Sequence, residues 1–264
     1  MTRDEIAARL RAAGSVFAED EADVLLGAAT GDPEGDLESM IRRRVAGEPL
    51  EVVVGWAEFR GLRIAVEAGV FVPRRRTEFV VETALALDTL RDPASHAVAV
   101  DLCCGSGAVG AALVAARPGV ELTAADIDPR AVRVARRNVR PCDVVVEGDL
   151  YDALPAGLRG RVDVILANAP YVPSDEVQFM PREARDAEPL HALDGGATGT
   201  ELHARIAHGA SEWLTPGGVV VIETSKAQAA QTAGHLQDAG FDTFVHHSSG
   251  LDATCVVGVH RDDR

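Results

Sequence analysis

Lysine is almost absent from this chain of 264 residues. Lys226 is the only one, and 26 basic residues face 41 Asp and Glu, for a net charge of -15. That balance disfavours a nucleic-acid partner, because such surfaces gain affinity by neutralising phosphates. Aromatic residues make up only 4% of a chain that is 47% hydrophobic, so its core is aliphatic, large enough for one main domain and a small appendage. The four cysteines, Cys103, Cys104, Cys142 and Cys255, form no C-x-x-C pair and have no His at ligand spacing. This excludes a disulfide framework and a zinc site, so no metal is expected and the cysteines read as small buried residues. No apolar run approaches the roughly 18 residues of a membrane span. The charged start, Met1 to Glu5, has no signal-like apolar stretch, and the expected setting is cytoplasmic, with no membrane.

What is present falls into three parts. Residues 1–47 read as a small helical domain: Thr2 and Glu5 form a capping box, a second helix around Val24-Leu25-Leu26 ends near Gly31, and Asp32-Pro33 starts a third that stops at Gly47. Arg42-Arg43-Arg44 reads as the solvated face of that third helix. Residues 48–75 read as a linking β-hairpin built from Val52-Val53-Val54, Gly55, Phe59 and Leu62 to Val66. Residues 76–264 then form an α/β domain, with Thr77 as the cap of a helix reaching about Leu90 and ended by Asp92-Pro93. Strands are predicted at 97–102, 120–126, 142–147, 162–168, 217–223, 241–247 and 253–260. Helices are predicted at 108–117, 129–139, 199–213 and 227–239, the grammar of a parallel sheet covered on both faces. The link Ser248 to Leu251 is too short for a parallel crossover, so the last two strands form a hairpin and one runs antiparallel.

The first strand of this domain leads into Gly105-Ser106-Gly107-Ala108-Val109-Gly110, a G-x-G-x-x-G that opens a helix. Such a turn brings a ligand close to backbone N–H groups at a helix N-terminus, although it can also serve only to pack strand on helix. Two strand-end acids favour a ligand. Asp126 lies 21 positions after Gly105, where a carboxylate takes a ribose diol, and Asp149 ends the next strand. Asp128 before Pro129 reads as a helix cap. Asp101, at the mouth of the glycine turn, would repel a pyrophosphate but suits the ammonium of a methionine moiety. The reversed terminal strand points the same way, to the seven-stranded sheet of S-adenosylmethionine-dependent methyltransferases rather than to a dinucleotide fold.

The stretch Asn168-Ala169-Pro170-Tyr171 follows the buried run Val162 to Ala167 and so falls at a strand's carboxyl end, the ligand-binding edge of an open α/β sheet. A side-chain amide, a stiffened turn and an aromatic ring in that position suit a small planar polar target. An ordinary strand-to-loop turn is the competing reading.

Taken in order, Gly47-Glu48-Pro49-Leu50, Gly55 with Glu58-Phe59, Val72-Pro73-Arg74 with Thr77-Glu78, Asp101 to Gly107, Asn168 to Tyr171, Glu188-Pro189, Ala192 to Gly196, and Pro216-Gly217-Gly218 with Glu223 resemble the PrmC/HemK family of protein-(glutamine-N5) methyltransferases. The resemblance spans about residues 46 to 260. It implies a class I S-adenosylmethionine-dependent methyltransferase fold, Rossmann-like with the last strand antiparallel, and a peptide-chain release factor as the protein partner, methylated on its Gly-Gly-Gln loop. The implied catalytic element is Asn168, Ala169, Pro170 and Tyr171. In the family the Asn side chain and the following backbone carbonyl accept hydrogen bonds from the target amide, and the Tyr ring packs nearby. The implied S-adenosyl-L-methionine contacts are Asp101, Cys103, Gly105, Gly107, Asp126, Ile127, Asp149, Leu150 and Asn168. Pro73, Arg74, Asn168, Tyr171 and Glu223 are the substrate side, and Arg74 and Glu78 either shape the channel or form a surface ion pair.

The chain departs from the family in three places: Ala169 stands where the signature has Pro, Thr224-Ser225 replaces Ile-Gly, and the helical domain is short. An Ala carbonyl still accepts the bond, and the fixed φ that is lost weakens pre-organisation by about 0.5–1 kcal/mol. Three other functions remain open at the level of residues: methylation of a nucleic-acid base amine, methylation of a small metabolite's amide or amine, and cofactor binding without transfer. The eight histidines, His246-His247 included, show no ligand spacing and read as surface or strand residues.

Overall fold

A computed structural model describes residues 1–31, 36–92, 96–180, 185 and 187–261. Helices α1 (Arg3–Ala12), α2 (Ala18–Gly31) and α3 (Leu37–Val45) form the N-terminal unit. The Thr2–Glu5 capping box is present, and Ile6, Leu10, Leu25 and Ile41 make a buried apolar cluster. The expected start of α3 at Asp32-Pro33 and the stop at Pro93 lie outside the described residues; α3 is capped by Asp36, whose side chain accepts from the Glu38 N–H at 3.1 Å.

Two expectations for this region are corrected. Val52-Val53-Val54 is not a strand but part of α4 (Leu50–Val54), entered through Pro49 and closed by Gly55 in the left-handed conformation, φ 80°. Val53 joins the apolar cluster of α1 to α3, so burial overrides the strand preference of three β-branched residues. The Arg42-Arg43-Arg44 run is not one solvated face either. Arg44 pairs with Glu21 at 2.8 Å with both side chains nearly buried, and Arg43 holds Glu48 and the carbonyls of Val52 and Val53, which leaves Arg42 to solvent.

The hairpin is β1 (Trp56–Phe59) with β2 (Leu62–Ala65). Asn138 fastens β2 to the glycine turn: its amide bonds both backbone groups of Ala65 and donates to the Ser106 carbonyl at 2.8 Å. The helix expected from Thr77 to about Leu90 is two, α5 (Glu78–Ala86) and α6 (Asp88–Arg91), separated by an extended Leu87. Thr77 makes no capping bond.

The main sheet comprises β3 (Val98–Leu102), β4 (Glu121–Asp126), β5 (Val144–Glu147), β6 (Val162–Ala167), β7 (Leu214–Thr224), β8 (Phe241–Ser248) and β9 (Ala253–His260). Their spatial order is β5-β4-β3-β6-β7-β9-β8. β9 runs antiparallel to both neighbours, as the short link after Ser248 requires. Helices α7 (Ala108–Ala116), α8 (Pro129–Asn138), α9 (Glu201–Trp213) and α10 (Ala229–Asp238) cover the faces. β6 shows why the central strands read as unbroken apolar runs: Val164 and Leu166 join one core, Ile165 and Ala167 the other. Sequential strands leave β3 in opposite directions, towards β4 and towards β6, so a crevice opens at the carboxyl ends of β3 and β6. No described helix is long and apolar enough to cross a membrane.

Candidate active site

The crevice is a cavity of about 340 Å³. Asp101, Cys103, Gly105, Asp126, Ile127, Asp149, Leu150, Asn168, Ala169, Pro170, Tyr171, Pro73, Arg74 and Glu223 all line it. Gly107 does not. It has φ 77°, and a Cβ there would stand 3.0 Å from the Ala135 Cβ, so this glycine lets α7 pack on α8. The third glycine of the turn, Gly110, donates its N–H to Asp101 Oδ2 at 2.9 Å in a space where a Cβ would meet Leu122 at 2.8 Å.

Asp101 is only 1% exposed. Burial lifts its carboxyl to about 7, the Gly110 N–H opposes the rise, and the neighbouring Asp126 adds to it. Asp126 ends β4 with both oxygens engaged: Oδ2 accepts from the Gly105 N–H at 2.8 Å and Oδ1 from the Asp128 N–H at 2.9 Å. Burial still raises it, against those two bonds. Asp128 caps α8 as expected, through a 2.8 Å bond from the Arg130 N–H. Asp149 pairs with Arg205 at 2.8 Å. Cys103 and Leu150 hold φ of 55° and 49°, a left-handed backbone that costs a non-glycine residue about 1–3 kcal/mol. Both line the cavity, Cys103 directly after β3 and Leu150 three residues beyond the end of β5. Cys104 and Cys255 are buried as expected, Cys103 is half-buried, and Cys142 is exposed, contrary to expectation.

Asn168 leaves the end of β6 and donates Nδ2 to Thr77 Oγ1 at 3.2 Å. Its Oδ1 accepts from no described residue, so an acceptor is left over in the cavity wall. Ala169 is 1% exposed. Tyr171 donates its hydroxyl to Glu223 Oε1 at 3.1 Å, and burial raises the phenol well above its usual range. Glu223, at the end of β7, is 2% exposed and raised by burial, while Thr77, Tyr171 and Arg76 favour its charged form.

The segment beyond Tyr171 is clasped by the loop that carries Ala192 to Gly196. Val172 donates to the Leu193 carbonyl at 3.1 Å and accepts from the Gly195 N–H at 2.8 Å, and Gln228 Nε2 donates to the Tyr171 carbonyl at 2.8 Å. A Cβ on Gly195 would lie 2.6 Å from the Pro170 carbonyl oxygen and 2.7 Å from the Tyr171 Cα, both backbone, so only glycine lets this loop press against the site.

Arg74 and Glu78 do not pair. Glu78 accepts from the Arg60 N–H at 3.1 Å, while Arg74 meets buried Glu188 at 2.6 Å, and the same Glu188 oxygen takes the Val72 N–H at 3.2 Å. Glu188 thus ties the Pro73-Arg74 segment to the clasping loop. Burial raises its carboxyl against the pull of Arg74. The residues alone did not single out Thr77 for this site, because its sequence position fits a helix cap. His203 corrects the expectation for the histidines: it is fully buried beneath Tyr171, bonded to Thr232 at 2.9 Å and pushed down to about 4 by burial. Among the described residues no three His, Cys, Asp or Glu side chains gather as metal ligands.

Comparison with known proteins agrees with this geometry. Residues 61–184 match the family described as methyltransferase small domain. A release factor glutamine methyltransferase of Streptomyces coelicolor is 38% identical over 204 residues, which is 75% of this chain and 72% of that protein. Another, of Bifidobacterium longum, is 33% identical over 269 residues, covering 90% and 91%. Among solved structures, a methyltransferase from Pyrococcus furiosus superposes with a TM-score of 0.56 at 17% identity, covering 77% of this chain and 91% of that one, and shares the class I methyltransferase fold. With identities of this size extending over most of both partners, the chain belongs to the release factor glutamine methyltransferase family.

Proposed function

We propose that this protein methylates the side-chain nitrogen of the glutamine in the Gly-Gly-Gln loop of peptide-chain release factors, with S-adenosyl-L-methionine as methyl donor. The observation that carries the proposal is the open acceptor, Asn168 Oδ1, beside the Ala169 backbone in the wall of a cavity that the carboxyls of Asp101 and Asp126 also line. The names of the relatives support the protein substrate.

The cavity fits the donor. Asp126, held by two backbone N–H groups, suits a ribose diol, and Asp101 suits a cationic amino-acid end. Cys103, Gly105, Ile127, Asp149 and Leu150 would complete that wall. When bound, the donor supplies an electrophilic methyl on a sulfonium. An amide nitrogen is a poor nucleophile because its lone pair is delocalised into the carbonyl, so positioning is what this chain contributes. Asn168 Oδ1 and the Ala169 carbonyl accept the two amide hydrogens, aim the nitrogen and stabilise the positive charge that develops on it. Tyr171, locked by Glu223, forms a wall. The methylated nitrogen is acidic enough to lose its proton to water, so no general base is required. Incubating purified release factors with the enzyme and labelled donor tests the proposal: one methyl per factor is expected, and no gain of mass contradicts it.

Asp101 gives the binding a pH dependence. Its folded pKa lies near 7, above the usual carboxylate value, so its contribution to apo stability is present at low pH and is lost as pH rises through about 7. A cationic ligand prefers the ionised form, so the sign for binding is opposite. Affinity should strengthen as pH rises from 6 to 8, by up to about tenfold per unit below 7, with proton release on binding. Calorimetry in buffers of different ionisation enthalpy measures both effects, and a flat profile contradicts the assignment.

A further inference from the structure

We propose that Thr77 is a positioning residue which fixes the end of the Asn168 amide that faces the substrate, and so sets the preference for an amide over a carboxylate. The proposal rests on the amide-methylation reading above and adds a specificity element to it.

An Asn side chain has two ends of nearly equal size and opposite hydrogen-bonding sense. Turning it over costs little in steric terms, so its orientation must come from a partner. Thr77 is that partner: it is 3% exposed, leaves α5 uncapped, and receives Asn168 Nδ2 at 3.2 Å. A hydroxyl can donate as well as accept, so Thr77 enforces this orientation only if its own hydrogen is committed elsewhere. The Glu223 carboxylate provides for that. It is 2% exposed, its Oε1 takes the Tyr171 hydroxyl at 3.1 Å, and its Oε2 is buried without a hydrogen-bond partner among the described residues. Thr77 makes no hydrogen bond to this carboxylate in the structure; burial raises the Glu223 carboxyl, and the Thr77 hydroxyl acts in the other direction, favouring its charge. An ionised carboxylate accepts only, so it draws the hydroxyl hydrogens of Thr77 and Tyr171 towards itself. The donation seen in the structure runs from the Asn168 NH2 to Thr77, and the proposal directs the Thr77 hydrogen at the buried, unpartnered Glu223 Oε2.

The consequence lies at the other end of the Asn168 amide. With Nδ2 spent on Thr77, Oδ1 is left for the cavity that Asn168 and Ala169 both line, where the proposed second acceptor is the Ala169 carbonyl. Two acceptors welcome the NH2 of a glutamine and repel the oxygens of a glutamate. A turned-over Asn168 would present a donor instead, which opposes the glutamine NH2 and binds a carboxylate. Thr77 reaches no reacting atom and acts through Asn168.

The test uses the full-length enzyme with an intact release factor, and with a release factor whose loop Gln is replaced by Glu, which serves as competitor. Thr77→Val keeps the shape and removes the hydroxyl, and Thr77→Ser keeps the hydroxyl. For Thr77→Val we expect kcat to fall by roughly 10- to 100-fold, with donor affinity and melting temperature close to wild type. The ratio of the competitor's inhibition constant to the substrate KM should fall by about tenfold or more, since a buried polar site discriminates by the groups it leaves unpaired. Thr77→Ser should restore both quantities to within about threefold. An unchanged ratio in Thr77→Val, with or without a loss of kcat, overturns the proposal, because a merely structural residue lowers the rate without moving the preference. If Thr77→Val fails to fold, an altered ratio in Thr77→Ser would still be incompatible with hydroxyl control. If the wild-type enzyme methylates no release factor, the functional reading has failed and this proposal falls with it. Transfer by wild type combined with an unmoved ratio sinks this proposal alone.

Discussion

Asn168→Ala should lower kcat for methyl transfer by roughly 10²–10³-fold, the cost of deleting one pre-organised partner of developing charge. The side chain is held from one end only, by Thr77, and its free Oδ1 is the part that would meet the substrate. Truncation removes that acceptor without touching β6, whose last residues are buried and paired to β3 and β7. The fold should therefore survive, and donor affinity measured by calorimetry should move by less than about threefold. The Ala169 carbonyl remains, which explains why activity falls steeply rather than to the uncatalysed rate. Asn168→Asp should be at least as damaging, because an added charge beside Glu223 favours protonation of one or the other. Full transfer by Asn168→Ala would show that the backbone alone orients the amide.

Asp126→Ala should abolish detectable donor binding, with a loss on the order of 10²-fold or more in affinity. Its carboxylate is the shared acceptor of the Gly105 and Asp128 N–H groups, and in the proposed complex also of the ribose hydroxyls. Hydrogen bonds to charged groups contribute about 1.5–3 kcal/mol each, and truncation loses several while leaving two backbone donors without their partner. Asp126→Asn keeps one acceptor oxygen and should fall between. Removing this charge also takes away a neighbour that raises Asp101, so the variant's Asp101 should titrate lower. Calorimetry with unchanged affinity in Asp126→Ala would move the donor elsewhere in the cavity.

How far the sequence revealed this site depended on the kind of contact involved. The strands were legible to within a few residues, because a parallel sheet covered on both faces demands unbroken apolar runs such as Val162 to Ala167. β7 alone began earlier than expected, at Leu214, before its Pro-Gly-Gly stretch. Strand-end residues were legible too, since Asp101, Asp126 and Asn168 each follow directly from where an apolar run stops. What stayed hidden depends on which segments meet in space. The helix at Val52 to Val54 follows from an apolar cluster assembled from three other segments, α1, α2 and α3. Thr77 looked like a cap, and its partner Asn168 lies 91 residues away. Arg74 found Glu188, 114 residues on, instead of its near neighbour Glu78. The clasp on Tyr171 depends on the absence of a side chain at Gly195, a requirement that only the packed backbone makes visible.

The central claim is that the methyl goes to a side-chain amide nitrogen gripped by Asn168. Fragmentation mass spectrometry of the Gly-Gly-Gln peptide, taken from a release factor treated with wild-type enzyme and isotopically labelled donor, tests it most directly. The account predicts a single labelled methyl on the glutamine side-chain nitrogen, introduced at a rate lower by roughly 10²–10³-fold when the Asn168→Ala enzyme is used. A label on any other residue, or an equal label from the variant, would contradict it.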